Sequence, residues 1–285
     1  MKGTGVAHGA TTIVNAMPSG FGGALGVDLH TVAEVELLEG CDLEVEIVDQ
    51  KVKDPSLALE SFKAVMQRFG LDFGARITIR SEIPPAKGMK SSSAASNAVV
   101  VAALMATGRA LDDYEVVRIG VDASKRARVT ATGAFDDACA SYFGGVQLTD
   151  NIGMKVLKSW EVEELNAIFL VPDGERYSGK VDMDRLRKYA RASLLAFNEA
   201  IDGRIWQAML INGMVMANLF GLDPGPIVDA VREGAVSAGL CGKGPAYCAI
   251  TRPEHEGEII DAWNETGHRI MRTRVRTLER TGVIF

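Results

Sequence analysis

Between Pro84 and Ser96 the chain reads PPAKGMKSSSAAS, a proline pair, one glycine, two lysines and four serines ahead of an apolar run. A glycine that admits positive φ, followed by hydroxyl residues and a helix start, turns several backbone N–H groups toward one point. The first amides of a helix lack internal partners, and the helix dipole favours negative charge there, so this composition makes an anion site. Pro85, Ala86, Lys87, Gly88, Met89, Lys90, Ser91, Ser92, Ser93 and Ala94 are therefore candidates for holding a polyphosphate. Lys87 and Lys90 would supply countercharge, and the Ser92 hydroxyl a metal-binding oxygen. The same residues suit an ordinary serine N-cap with solvated lysines. Local sequence leaves both readings open.

Two further stretches carry chemistry. GAFDDACASYFGG sets Asp136 and Asp137 among small and apolar residues, where a carboxylate can be oriented to take or hold a hydroxyl proton. A pair of first-turn acids on a short helix fits equally well. GLCGKGPAYCAI is a glycine-rich turn entering a strand, able to bring backbone close to a ligand. Rival motifs fare worse. GERYSGKV, residues 174–181, follows a strand and has the GxxxxGK spacing, but Val181 stands where a magnesium-holding hydroxyl belongs. The early GTGVAHG and SGFGGALG lack dinucleotide-binding spacing. His8, His30, His255 and His268 form no metal motif, and no GxSxG nucleophile elbow occurs.

The elements that must position these residues are legible in part. VDLHTVAEVELL (27–38) and DLEVEIVD (42–49) alternate as strands around Glu39-Gly40-Cys41, which suggests an antiparallel hairpin. A helix is expected over 56–69, where Leu59, Phe62, Val65, Met66 and Phe69 recur at helical spacing and Gly70 ends it. ARITIRSEI (75–83) reads as a strand stopped by Pro84-Pro85. A buried, serine-capped helix runs from Ser91 to a stop at Gly108, and a second over 113–126. Beyond residue 155 the pattern is a strand at 167–172, helices over 182–220 and 224–237, a helix at 254–265 and a strand at 269–276. The arginines of RIMRTRVRTLER read as a solvated face.

Composition bounds the function. The 285 residues are 47% hydrophobic and 24% charged, with no apolar run long enough to span a membrane. A formal charge of −6 argues against general nucleic-acid binding. The opening residues do not resemble a signal peptide, so a cytoplasmic location is expected. Cys41, Cys139, Cys241 and Cys248 are too far apart for zinc pairs and read as reduced and mostly buried.

Taken in order, the three glycine-, serine- and aspartate-bearing stretches resemble the three motifs of the GHMP kinases, small-molecule kinases named for galactokinase, homoserine kinase, mevalonate kinase and phosphomevalonate kinase. Their phosphate loop, P-x-x-x-G-L-x-S-S-A-A, is matched by Pro84, Gly88, Met89, Ser91, Ser92, Ser93 and Ala94, with Met for Leu and Ser for the first Ala. ATTIVNAMPSGFGGALGVDL, IPPAKGMKSSSAASNAVV, VTATGAFDDACASYFGGVQLTDN and AGLCGKGPAYCAI are similar to stretches of the archaeal-type shikimate kinases, across essentially the whole chain.

The resemblance implies an α+β fold, with an ATP-binding domain of the ribosomal-protein S5 domain 2 type over 1–155 and a ferredoxin-like domain over 156–285. It implies ATP and Mg2+ as cofactors and shikimate as the small-molecule partner. A homoserine- or mevalonate-type acceptor, or a non-catalytic ligand-binding regulator on the same scaffold, remain alternatives. Counted from Gly144-Gly145, Asp137 falls at the family's catalytic aspartate, with Asp136 as its second. Asn15, Gly242, Lys243 and Gly244 would lie toward the substrate. Two departures stand out. Thr11 and Thr12 occupy the place of the lysine that mevalonate kinase carries in the first motif, so the charge must come from Lys87, Lys90 or Lys243. The position of that relative's magnesium-ligating glutamate is Arg126, in ASKRARVT. Asp122 is then the nearest upstream acid for the metal, and Arg126 or Arg128 a candidate for a phosphate or the acceptor's carboxylate.

Overall fold

The computed structural model describes residues 1–48, 54–130, 133–174 and 182–278. Strand β1 (Lys2–Val14) pairs antiparallel with the long β2 (Phe21–Leu38), Lys2 opposite Glu36 and Val14 opposite Gly23. Strand β3 (Leu43–Ile47) does not fold back on β2, contrary to the expected hairpin. It runs parallel to β4 (Gly74–Ser81), which itself lies antiparallel to β2. The reason is helix α1 (Ser56–Phe69), since parallel neighbours need a long crossover and the helix supplies one.

Helices α2 (Ser91–Thr107), α3 (Asp113–Arg126) and α4 (Phe135–Phe143) follow, then strands β5 (Val146–Asp150) and β6 (Lys155–Trp160), which complete a sheet of order β3-β4-β2-β5-β6 with β1 on β2. The division expected at residue 155 thus coincides with the start of a strand of the first sheet.

The second sheet begins with β7 (Asn166–Val171). The helix expected over 182–220 is broken into α5 (Met183–Lys188), α6 (Ala190–Ile201) and α7 (Ile205–Phe220), because Tyr189 and the turn at Gly203, φ 90°, interrupt it. Helix α8 (Gly225–Arg232) is shorter than expected and leads to β8 (Ser237–Leu240) and β9 (Tyr247–Thr251); α9 (Glu256–Asn264) and β10 (Arg269–Arg274) close an antiparallel sheet of order β10-β7-β9-β8. One apolar core joins the halves, with Leu25, Val99 and Phe135 in the same cluster as Phe169, Phe197 and Met209.

Helix α2 is the element that matters most for the site. Ala94, Ala98, Ala102 and Ala106 recur every fourth residue and are buried, giving the helix a flat face. That face lies on β1 backbone to backbone. A Cβ at Gly5 would sit 2.1 Å from the Ala98 carbonyl oxygen, and one at Gly3 would sit 2.3 Å from that of Ala102, so only glycine permits the approach. The height of the α2 N-terminus above the sheet is set by this contact.

The C-terminal arginines divide. Arg269, Arg272 and Arg274 are exposed as expected, but Arg276 is buried and donates to the carbonyls of Tyr142, at 3.0 Å, and Ser141, at 3.4 Å, near the end of α4. Cys139, Cys241 and Cys248 are buried and Cys41 is exposed, all unpaired. Among the described residues no helix is long and apolar enough to cross a membrane. Residues 175–181 of the GxxxxGK-like stretch lie outside the described residues.

Candidate active site

A cleft opens where the N-termini of α2 and α4 meet the turn between β8 and β9. Its walls include Thr12, Asn15, Ala86, Gly88, Lys90, Ser91, Ser92, Ser93, Ser124, Thr130, Asp136, Asp137, Asn151, Gly242, Lys243 and Gly244. The serines are not caps. Lys90, in the left-handed region at φ 67°, is the N-cap of α2 and makes no side-chain cap hydrogen bond, which places Ser91, Ser92 and Ser93 inside the first turn. Ala86 and Gly88 are also left-handed, at φ 56° and 82°. The backbone therefore winds around the helix start and leaves first-turn amides with no side-chain acceptor, an arrangement suited to phosphate. Of the remaining loop residues, Met89 and Ala94 are buried in the core. Pro85 and Lys87 also stay off the cleft wall.

Gly88 is required by proximity as well as by φ, because a Cβ there would fall 2.0 Å from the Cys241 carbonyl oxygen. The phosphate loop and the GLCGKG turn thus touch directly. Thr12 and Asn15 fix the same turn from β1. The Gly242 N–H donates to Thr12 Oγ1 at 2.9 Å, and Asn15 Nδ2 donates to the Gly242 carbonyl at 2.9 Å. Asn15 is further tied to the second half, its N–H donating to Asn212 Oδ1 and its carbonyl accepting from Ser193. Its side-chain amide is engaged in fixing the GLCGKG turn, with Oδ1 accepting from the Met17 N–H at 3.0 Å.

The three candidate lysines separate cleanly. Lys87 donates to the carbonyls of Pro172 and Gly174, away from the cleft. Lys243 lines the cleft on the β8–β9 turn. Lys90 reaches into it and places Nζ 2.8 Å from Asp137 Oδ1, with the two side chains only 7% and 16% exposed. Burial pulls the Lys90 ammonium down, but the carboxylates of Asp137 and Asp136 outweigh it and hold Lys90 above its usual range.

Both aspartates lie in the first turn of α4, whose N-cap is Ala134 with no side-chain cap. That role falls to Asn151, just after β5. Its Oδ1 accepts from the Asp136 N–H at 3.1 Å and from Thr149 Oγ1 at 2.6 Å, while its Nδ2 donates to Asp136 Oδ1 at 2.7 Å. Asp136 is 4% exposed. Burial and the neighbouring Asp137 push its carboxyl up to about 7, against the opposing pull of Lys90 and Asn151.

Three expected residues are corrected. Helix α3 buries Val116, Val117, Gly120, Val121 and Ser124, so positions 122 and 126 fall on its outer side. Asp122 is paired with Lys125 at 3.6 Å and Arg126 with Glu60 at 3.0 Å, and neither lines the cleft. Arg128 is exposed and also absent from the wall. Among the described residues no group of three His, Cys, Asp or Glu side chains could hold a metal. The cleft does fit a nucleotide-borne cation, with the exposed Ser92 hydroxyl on its wall at the start of α2.

Comparison with known proteins agrees with this geometry. The family model for the GHMP kinases N terminal domain matches residues 56–145. A solved mevalonate kinase superposes with a TM-score of 0.77 at 17% identity, covering 97% of this chain and 99% of its own. A homoserine kinase from Cytophaga hutchinsonii superposes with a TM-score of 0.75 at 18% identity, covering 100% of this chain and 98% of its own. The α+β fold is that of a GHMP kinase. Nearer relatives narrow this further. The shikimate kinase of Methanothrix thermoacetophila is 42% identical over 96% of this chain and 94% of its own length, and that of Thermococcus kodakarensis 42% identical over 95% and 98%. The chain belongs to the archaeal shikimate kinases.

Proposed function

We propose that the protein transfers the terminal phosphoryl group of ATP to the 3-hydroxyl of shikimate in the cytoplasm, with Mg2+ as the working cation. The observation that carries the chemistry is the Lys90–Asp137 pair, which joins the N-cap of α2, next to that helix's uncapped first-turn amides, to the first turn of α4. The acceptor follows from the near full-length similarity to shikimate kinases.

In this reading the amides of Ser91, Ser92 and Ser93 hold the phosphates and Gly242 to Gly244 close over them. Asp137 takes the proton of the attacking hydroxyl, a bond forms from that oxygen to the terminal phosphorus, and the bond from phosphorus to the bridging oxygen of ADP breaks. General-base assistance of this kind is typically worth about 10² to 10⁴ in rate. Lys90 stabilises the charge that passes between the two oxygens. Mg2+ held by the phosphates and the Ser92 hydroxyl would neutralise the charge on the leaving side. Lys243 is the cation on the wall suited to a substrate carboxylate.

The test is ADP release by the purified protein with Mg–ATP and, separately, shikimate, homoserine, mevalonate and galactose. Turnover with shikimate alone is expected; turnover confined to another acceptor would retain the kinase and remove the acceptor assignment.

A further inference from the structure

Phosphoryl transfer in this site uses one of two adjacent carboxyls, yet the fold takes more trouble over the other. Asp136 is oriented by Asn151 on both its backbone N–H and its Oδ1, and Asn151 is itself fixed by Thr149 Oγ1 and by its own N–H donating to the Gly20 carbonyl at 2.9 Å. β2 admits this placement only with glycine at 22, since a Cβ there would lie 2.4 Å from Asp136 Oδ2. Asp136 nevertheless lines the cleft, as Asn151 and Asp137 do.

We propose that the pair divides its labour: Asp137 receives the proton of the hydroxyl that is phosphorylated, Asp136 hydrogen-bonds the hydroxyl next to it, and Asn151 is the positioning residue for Asp136. The site then selects acceptors with two adjacent hydroxyl groups. This rests on the shikimate reading, in which the 3-hydroxyl has a single hydroxyl neighbour, at carbon 4.

Charge supports the division. The buried cluster holds two carboxyls and one cation, and the cation is on Asp137, so Asp136 is the site at which a retained proton relieves the most repulsion. The groups facing Asp136 are Asp137 and the Cys139 thiol on α4, Lys90 at the start of α2, and Asn151 after β5. Asn151 donates to it and so favours the ionised form. Its contribution is direction, and the neutrality comes from burial and Asp137. No bond is made or broken at Asp136, whose carboxyl, raised to about 7 by burial and by Asp137, is protonated in part of the molecules at neutral pH.

Four variants and one acceptor analogue test this. Asp136→Asn, neutral and of the same shape, should hold kcat within about 10-fold of the wild type, whereas Asp137→Asn should lose roughly 10²-fold or more. The wild type should prefer shikimate over its 4-deoxy analogue by roughly 10-fold in kcat/KM, and Asp136→Ala should abolish the preference. Asn151→Leu should weaken the preference while leaving the melting temperature closer to wild type than Asp136→Ala does. Equal damage from Asp136→Asn and Asp137→Asn, or a preference that survives Asp136→Ala, would overturn the proposal. Carbon-13 NMR of the free protein is independent of any acceptor: the Asp136 carboxyl should titrate with a midpoint of about 7, and a carboxyl ionised throughout pH 5 to 8 contradicts it. Absence of shikimate turnover in the wild type would instead remove the acceptor reading, and the hydroxyl contact with it.

Discussion

Lys90 Nζ lies 2.8 Å from Asp137 Oδ1 on the wall of the cleft, joining the residue that starts α2 to an acid in the first turn of α4. Lys90 is thus a buried cation on the cleft wall beside a first strand that carries Thr11 and Thr12 and no lysine there. Lys90 stands at the N-cap of α2 with its backbone in the left-handed region at φ 67°. Removing one partner of a buried pair leaves the other uncompensated, which costs about 3–5 kcal/mol. Lys90→Met should therefore lower stability by that order and kcat by roughly 10²-fold, with partial recovery in Lys90→Arg. Denaturant melts and steady-state rates at a fixed pH check both; a Lys90→Met variant with normal kcat would take the pair out of the mechanism.

Asp136 makes stability depend on pH. Its carboxyl is raised from 3.8 to about 7 by burial and by Asp137, so between those values the folded protein binds a proton that the unfolded chain has released. Stability must then fall as pH rises from about 4 to about 7 and level off above, a total on the order of 4 kcal/mol at 1.36 kcal/mol per unit. Asp136→Asn should flatten this part of the curve. The measurement is the difference between wild-type and variant unfolding free energies at pH 5 and pH 8, and equal differences at both would contradict the assignment.

Gly88 is a geometric requirement. Its φ is 82°, and a methyl carbon on its Cα would stand 2.0 Å from the Cys241 carbonyl oxygen, so Gly88→Ala must displace either the phosphate loop or the GLCGKG turn. Nucleotide affinity should fall at least about 10-fold, with a smaller loss of stability of roughly 1–3 kcal/mol. Titration calorimetry with ATP decides; unchanged affinity would mean that the two loops do not close on the phosphates together.

Ser92→Ala keeps the helix and removes one hydroxyl. The expected result is an unchanged melting temperature and a higher Mg2+ concentration for half-maximal rate, by roughly 5-fold. An unchanged Mg2+ dependence would place the cation elsewhere.

Much of the site was legible because its signals are local. The glycine and serines of 88–93, the acids at 136 and 137 and the turn at 242–244 each sit in a short stretch with recognisable composition, and helices α1 and α3 have the bounds that their apolar spacing predicts. What was hidden depends on distant pairing. Strand β3 alternates as a hairpin partner of β2 would, yet it is half-buried at the sheet edge and pairs with β4 across a helix. Asn151 reads as an ordinary turn residue after a strand, and only the fold brings it under α4. Arg126 and Asp122 failed for the opposite reason: counting along the chain gives a position but not the side of the helix it occupies, and the apolar stripe of α3 turns both outward. Among Lys87, Lys90 and Lys243, sequence gives no means of choosing, because the choice is made by one φ angle and by carbonyls at 172 and 174.

The most direct test of the account is ADP release with saturating Mg–ATP and shikimate, measured for the wild type beside Asp137→Asn. The account predicts shikimate-dependent turnover in the wild type, a loss of roughly 10²-fold or more in kcat for the variant, and nearly unchanged ATP affinity. A variant that turns over like the wild type, or a wild type that releases ADP no faster with shikimate than without it, would contradict it.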